Sequence, residues 1–454
     1  MSETVLLVGG GGREHAIARA VAPDCELYAC ASNRNPGIAA LAEAVRSIDE
    51  RDADGIVDFA TDVGATLAVI GPESALAAGV ADALAAADVY TFGPRAEAAR
   101  IETDKAYQRQ FMREHGIPGC PDFETFDDTE AACEYIDGYD GDLAVKPAGL
   151  TGGKGVRVTG DQVTKAEAKA YLRDSDYDRV VLEERLVGEE FTVQAFVASE
   201  GSETPRATGR SPVTDGEVRT TPAVQDHKRA YEGDEGPNTG GMGSYSDADP
   251  TLPFMDAADY DAAVDVLEAT VDALPTYAGV LYGQFMLTAE GVRVVEFNAR
   301  FGDPEAMNTL PVMETPFIDV LTAARDGESL PDLSFVPRAT VCKYAVPAGY
   351  PTDPEAGARI EVDEGSVERA AAERGTDAGE AHLFYASVDA REDGLYTTTS
   401  RAFAVVGVDE TIGDAEAIAD GALAAAGDGL RVREDIGKPS LVQRRIDHVD
   451  RLRE

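Results

Sequence analysis

Cations are scarce in this chain. Its 454 residues carry 40 lysines and arginines against 84 aspartates and glutamates, a formal charge of -44, and only eight of the cations are lysine. A nucleic-acid binder needs a basic footprint for the phosphate backbone, and acids spread along the whole chain exclude that class. Cysteine is scarce too. Cys25, Cys30, Cys120, Cys133 and Cys342 are odd in number and form no CxxC pair, which argues for reduced, buried thiols and against a disulfide framework or a zinc site. No apolar stretch is long enough to span a bilayer, and Met1-Ser2-Glu3-Thr4 lacks the cationic start of a signal peptide. The expectation is a soluble, cytoplasmic protein with no membrane partner. Dispersed acid of this kind resembles the surface of proteins from salt-loving organisms, where a Debye length of roughly 3 Å at molar salt screens self-repulsion. An anionic substrate would then depend on cations and metal at contact range.

The length suggests about three domains, and 44% hydrophobic residues can give each a core. In the first, the β-rich run Thr4 to Val8 ends in Gly9-Gly10-Gly11-Gly12-Arg13-Glu14-His15 and an Ala-rich helical pattern. Strand, glycine turn and helix place backbone N–H groups at a helix N-terminus, a ready phosphate site. It is no dinucleotide fingerprint, because GxGxxG from Gly9 needs glycine where Glu14 stands. Strands at 66–70 and 89–92 run into Gly71-Pro72-Glu73 and Gly93-Pro94, with a helical stretch from Leu76 to Ala87 between them. This alternation predicts a Rossmann-like parallel α/β sheet with ligand at its carboxyl edge, closing near residue 103.

A helix from Asp104 to His115 leads to a second pattern. The strand Asp142 to Pro147 carries Lys146 into the glycine-rich hairpin Ala148 to Val158. That hairpin is not a Walker A loop, since Ala148 replaces its first glycine and Gly155 follows Lys154 where Ser or Thr should stand. Val180 to Leu186 and Gly188 to Gln194 read as strand, turn, strand. Further on, Val294 to Glu305 sets Glu296, Asn298 and Arg300 on alternate residues, so that they share one strand face with Val295 and Phe297 on the other. A carboxylate beside a carbonyl oxygen suits Mg²⁺, and a guanidinium holds phosphate or carboxylate bidentately. The alternative reading is an amphipathic strand with a solvated polar face.

Together with Gln225-Asp226-His227-Lys228-Arg229 and Gly236-Pro237-Asn238-Thr239-Gly240-Gly241-Met242-Gly243-Ser244, these segments resemble the phosphoribosylamine-glycine ligases of the ATP-grasp superfamily. The resemblance runs in order through most of the chain. It implies an N-terminal Rossmann-like domain (1–103), central ATP-grasp domains (104–325) and a small mixed α/β domain (331–454) that closes the amine-substrate site against the first. The implied reaction uses ATP, glycine and 5-phosphoribosylamine, passes through a glycyl phosphate and needs Mg²⁺ or Mn²⁺. Lys105, Lys146, Gly152, Gly153, Lys154 and Gly155 would take ATP phosphates, Glu183, Glu184 and Leu186 adenine, and Glu190 the ribose. Gln284, Glu296 and Asn298 would hold the metal. Arg300, with the Gly240, Gly241, Met242, Gly243 and Ser244 backbone, would stabilise the acyl phosphate. Asp226 would orient the amine, Lys228 or Arg229 would hold an anionic group, and Gly71, Pro72, Glu73 and the Gly10 to Arg13 turn would meet the amine substrate. His15 and His227 are expected to pack or cap, not to act as bases. A monomer is expected, with a dimer as the alternative. Two rivals stay open at this point: another ATP-grasp ligase or carboxylase-like enzyme, and a non-catalytic acidic binding protein.

Overall fold

The computed structural model describes residues 3–149, 155–198, 217–274, 276–372, 379–426 and 429–454. Strands are numbered along the chain. Five short strands, β1 (Glu3–Val8), β2 (Cys25–Ala31), β3 (Ala44–Ser47), β4 (Leu67–Ile70) and β5 (Tyr90–Phe92), form a parallel sheet in the order β3-β2-β1-β4-β5. The order reverses at β1, where the chain leaves in opposite directions, and such a switch point opens a crevice at the carboxyl edge. Gly71 N bonds Val8 O at 3.0 Å, so the Gly9 to Gly12 and Gly71-Pro72 turns lie side by side in that crevice. The single helix expected at 76–87 is two, Glu73–Ala77 and Val80–Ala86. Gly79 breaks it with φ +77°, a left-handed conformation that helices do not propagate.

Asp104 caps the helix Lys105–His115 by accepting from Ala106 N and Tyr107 N at 3.1 and 3.0 Å. Beyond it, β6 (Phe123–Phe126), β7 (Leu143–Pro147), β8 (Arg157–Val158) and β9 (Val180–Glu184) form a sheet ordered β6-β9-β7-β8. Ala132, Ile136, Leu143, Val145, Ala168, Leu172, Val180 and Leu182 give this lobe its own core. The next strand, β10 (Gly188–Ala198), belongs to a different antiparallel sheet with β11 (Glu217–Thr220), β16 (Ala278–Thr288) and β17 (Gly291–Asn298), ordered β11-β10-β16-β17. The 185–187 segment is therefore a crossing between two sheets, not the hairpin turn that strand, turn, strand suggested. Two adjacent β runs look alike in sequence whether they pair with each other or part.

β12 (Gln225–Asp226), β15 (Gly243–Ser246), β18 (Ala339–Val346), β20 (Glu380–Tyr385), β23 (Phe403–Asp409) and β24 (Arg431–Val432) make a fourth sheet. Short pairings of β13 (Arg229–Tyr231) with β14 (Glu235–Asn238), and of β22 (Gly394–Thr397) with β19 (Arg359–Ile360) and β21 (Val388–Arg391), flank it. Pairing of Gly243 to Ser246 with Lys343 to Thr340 carries this sheet from the central region into the C-terminal one. The C-terminal strands also touch the first sheet's turns: Asn35 Nδ2 donates to Tyr385 O at 2.8 Å, and Tyr385 N donates to His15 Nδ1 at 2.9 Å. All five cysteines are free thiols, three of them buried. Among the described residues, no helix is long and apolar enough to cross a membrane.

Candidate active site

Three of the eight lysines converge on one carboxylate. Lys105 enters from the first turn of its helix and donates to Glu296 Oε2 at 2.9 Å. Lys228, between β12 and β13, lies 3.8 Å from Oε1 and donates to Gln284 Oε1. Gln284 in turn donates to Glu190 Oε2 at 2.5 Å. Antiparallel register places Gln284 opposite Glu296 and Tyr282 opposite Asn298, so Gln284, Glu296 and Asn298 share a face as the spacing requires. Burial opposes ionisation of Glu296, but Lys105, Lys228 and Lys146 outweigh it and hold the carboxyl well below the usual range. The alternation fails at Val295, which sits in a β-bulge between the Gln284 and Phe285 pairings. The bulge turns the Val295 carbonyl to Lys146 Nζ (3.0 Å) and to Arg109 (2.6 Å).

Lys146 is buried on β7, and its second partner is Glu183 at 2.8 Å. Glu183 also receives the Arg109 guanidinium on both oxygens, at 2.8 and 2.9 Å. Burial would raise the Glu183 carboxyl, yet Arg109 and Lys146 pull it down to about 2. Both Glu183 oxygens are thus committed to fixing the two cations. A carboxyl depressed from 4.5 to about 2 stabilises the fold above pH 4.5 and loses that contribution as pH falls through 2. Glu183→Gln should cost about 3–5 kcal/mol at pH 7, the range for breaking a buried pair. The loss should shrink between pH 4.5 and 2, and chemical denaturation across that interval checks it. Lys146→Met should lower kcat/KM for ATP on the order of a hundredfold, about 2.7 kcal/mol. Unchanged ATP kinetics would leave Lys146 a packing residue.

Glu184 is anchored through its side chain, accepting from Asp122 N at 2.9 Å and from Arg293. Leu186 lies half-buried in the crossing segment. Gly155 is buried at the end of the glycine-rich hairpin, its carbonyl accepting from Tyr171 OH at 2.9 Å. Gly152, Gly153 and Lys154 lie outside the described residues.

Several expected anion contacts are engaged by protein. β17 ends at Asn298, and Arg300 beyond it pairs with Glu102 at 2.9 Å, approaches Glu73 at 3.7 Å and reaches Asn298 Oδ1 at 3.4 Å. Arg229 donates to Gly236 O at 2.8 Å and pairs with Asp161, tying its own hairpin to the β8 lobe. Gly241 N donates to Thr239 Oγ1 (3.0 Å) and Met242 N to His227 O (2.8 Å), so these amides are used within the loop. At the first glycine turn, Glu14 accepts from Gly11 N at 2.7 Å and from Arg13 at 2.6 Å. Arg13 also donates to Phe301 O at 3.2 Å. The capping spacing from Gly11 to Glu14 was the available signal for that contact. Both histidines are buried and burial lowers each to about 3, which agrees with packing roles.

Residues that sequence reasoning missed stand beside Asp226. Glu305, 2% exposed, accepts from Tyr282 OH at 2.8 Å. Burial and the proximity of Glu305 raise Asp226 well above the usual carboxylate range, and burial raises Glu305 too. Asp226 Oδ1 is buried with no hydrogen-bond partner among the described residues. Arg401, from the C-terminal region, pairs with Asp303 at 3.0 Å.

Family models match the chain in three consecutive pieces: the phosphoribosylglycinamide synthetase N domain at residues 3–102, its ATP-grasp (A) domain at 103–306 and its C domain at 340–439. The phosphoribosylamine-glycine ligase of Methanosarcina barkeri is 49% identical over 461 residues, covering 99% of both chains. The chain belongs to the phosphoribosylamine-glycine ligase family. A ligase of the family from Methanopyrus kandleri is 46% identical, again over 99% of each chain. The crystal structure of the Thermotoga maritima ligase shares 25% identity with a TM-score of 0.74, covering 95% of this chain and 99% of that one. The biotin carboxylase domain of Hydrogenobacter thermophilus 2-oxoglutarate carboxylase, solved with Mg-ADP, shares the fold alone at 14% identity, with a TM-score of 0.68 over 99% of this chain and 94% of that one. Membership brings the α/β fold, ATP-dependent ligase chemistry and the Mg-ATP requirement of ATP-grasp enzymes. The non-catalytic acidic binder is thereby set aside.

Proposed function

We infer that this protein joins glycine to 5-phosphoribosylamine at the expense of ATP, giving glycinamide ribonucleotide, ADP and phosphate in purine biosynthesis. The observation that carries the reading is the convergence of Lys105, Lys146 and Lys228 around Glu296 in a chain that has only eight lysines. Phosphoryl transfer is mainly positioning and charge neutralisation, and a cluster of fixed cations in a strongly acidic chain supplies both. On this reading Lys105 and Lys146 meet the nucleotide phosphates. The 184–186 backbone at the crossing between sheets suits adenine, and Glu190 suits the ribose. Gln284, Glu296 and Asn298 offer one carboxylate and two amide oxygens on one face, a donor set that fits Mg²⁺ or Mn²⁺. When bound, the divalent ion would neutralise phosphate charge beside the lysines.

The attacking amine must lose a proton as it forms the amide. On this reading Asp226 receives it: its Oδ1 is buried with no hydrogen-bond partner among the described residues, and burial and Glu305 raise its carboxyl. Glu305 beside it shares that role through the same charge balance. Arg300, fixed by Glu102 and Glu73, is aimed and not mobile, which suits a donor to developing charge. Purified protein in molar potassium chloride should release ADP only when glycine and phosphoribosylamine are both present. ADP release driven by bicarbonate instead would favour a carboxylase-like relative.

A further inference from the structure

The C-terminal region sends three arginines onto one segment of the central region. Arg433 donates to Arg229 O at 3.0 Å, Arg431 to Ala230 O at 2.6 Å, and Arg401 to Gly240 O at 2.7 Å and Gly241 O at 3.0 Å. The segment between those carbonyls contains the glycine loop, and the residues just before it are Asp226 and Lys228. Arg401 does more than the other two. It donates to Asp303 O at 3.2 Å, pairs with the Asp303 carboxylate at 3.0 Å and stacks over Tyr344 at 4.3 Å. Tyr344 in turn donates to Asp303 Oδ1 at 2.6 Å. One guanidinium therefore ties the 240–241 loop to the turn that delivers Glu305.

Those two walls enclose Asp226. A Cβ placed on Gly241 would come within 2.7 Å of both Asp226 Oδ1 and Pro304 Cδ, so the loop, the acid and the turn are in contact with no slack. Gly241 also holds φ +110°, a conformation open to glycine and avoided by residues that carry a side chain. Arg401 lies on the short link between β22 and β23, and Ala402 N bonds Ala345 O at 2.9 Å, which fixes its backbone to β18.

We propose that Arg401 is a positioning residue for the amino-substrate half of the reaction: it holds the 240–241 loop and the 303–305 turn around the Asp226 and Glu305 carboxyls. The proposal rests on the ligase reading. It separates the chain's two chemical halves, because among the described residues Lys105, Lys146 and Glu296 make none of the hydrogen bonds or ion pairs of this clamp, and only Lys228, whose carbonyl accepts from Thr239 N at 2.7 Å, borders both. A lysine cannot replace the planar fork, which reaches three carbonyls and a carboxylate together.

Arg401→Lys and Arg401→Ala test it, each assayed for glycinamide ribonucleotide and for ADP in the same samples. The expected result is a kcat for product lower by at least about tenfold, the size of one lost charge-assisted contact. KM for ATP should stay within a factor of about two, on the same scale. Guanidinium at millimolar concentration should restore part of the activity of Arg401→Ala. Wild-type kinetics in Arg401→Lys would overturn the proposal. So would an equal loss in ATP binding and in melting temperature, the pattern of a purely structural arginine. Failure of the unsubstituted protein to make product would instead overturn the ligase reading.

Discussion

Glu296→Ala should abolish product formation, lowering turnover at least a thousandfold, about 4 kcal/mol of transition-state stabilisation. The substitution removes the carboxylate that orders Lys105 and Lys228 and, on our reading, bridges protein to the divalent ion. Three cations would be left around an empty position. They would repel one another, and Lys105 would lose its 2.9 Å partner. The fold should survive, because the Glu296 side chain is 21% exposed and water can enter to solvate the lysines. Near-UV circular dichroism should match wild type while turnover vanishes. Turnover within tenfold of wild type at saturating magnesium would remove Glu296 from the site.

Much of this site was legible because a strand reports its own geometry. Glu296 and Asn298 share the face that alternation predicts, Gln284 meets Glu296 across the pairing of β16 with β17, and the glycine turns after β1 and β4 are neighbours because parallel strands end together. The carboxylates Glu14, Glu73 and Glu102, which hold the arginines of the site, were harder to read. Glu73 carries a weak signal through its place after Gly71-Pro72. Glu102 carries none, sitting near the end of the helix Ala96–Thr103 and meeting Arg300 only after the chain returns through two further sheets. A residue's partner is a property of the fold and not of its neighbours in sequence.

The same limit explains Glu183 and Arg401. Glu183 reads as the acid of a strand near adenine, and nothing nearby in sequence announces that Arg109 will cover both its oxygens. Arg401 belongs to a region whose sequence shows no catalytic motif. Its importance comes from pairing β15 with β18, which brings the C-terminal region against the glycine loop. By contrast the bulge at Val295 breaks a pattern that otherwise predicts correctly, and it does so at the carbonyl that receives Lys146 and Arg109. An extra residue in one strand is invisible until its partner strand is known.

Lowering potassium chloride from molar to millimolar should unfold the protein. The chain has 44 uncompensated negative charges, and over that range the Debye length grows from roughly 3 Å towards 30 Å, so carboxylates that ignored one another begin to repel. The ion pairs of the site do not share this dependence. Arg109, Lys146 and Glu183 are almost wholly inside the protein, where salt screens little, whereas surface pairs such as Arg46 with Asp62 are about half exposed and contribute little at any salt. The loss should therefore come from the acidic surface as a whole, with the buried clusters persisting until the fold opens. Millimolar magnesium should restore part of the melting temperature in two ways, by screening and by binding the folded state at Glu296, Asn298 and Gln284. Glu296→Ala should keep the first and lose the second, so the difference between the two proteins in magnesium isolates binding at the site. A melting temperature that stays flat across the salt range would mean that the acidic surface does not govern stability. Equal rescue of both proteins by magnesium would remove the metal from Glu296.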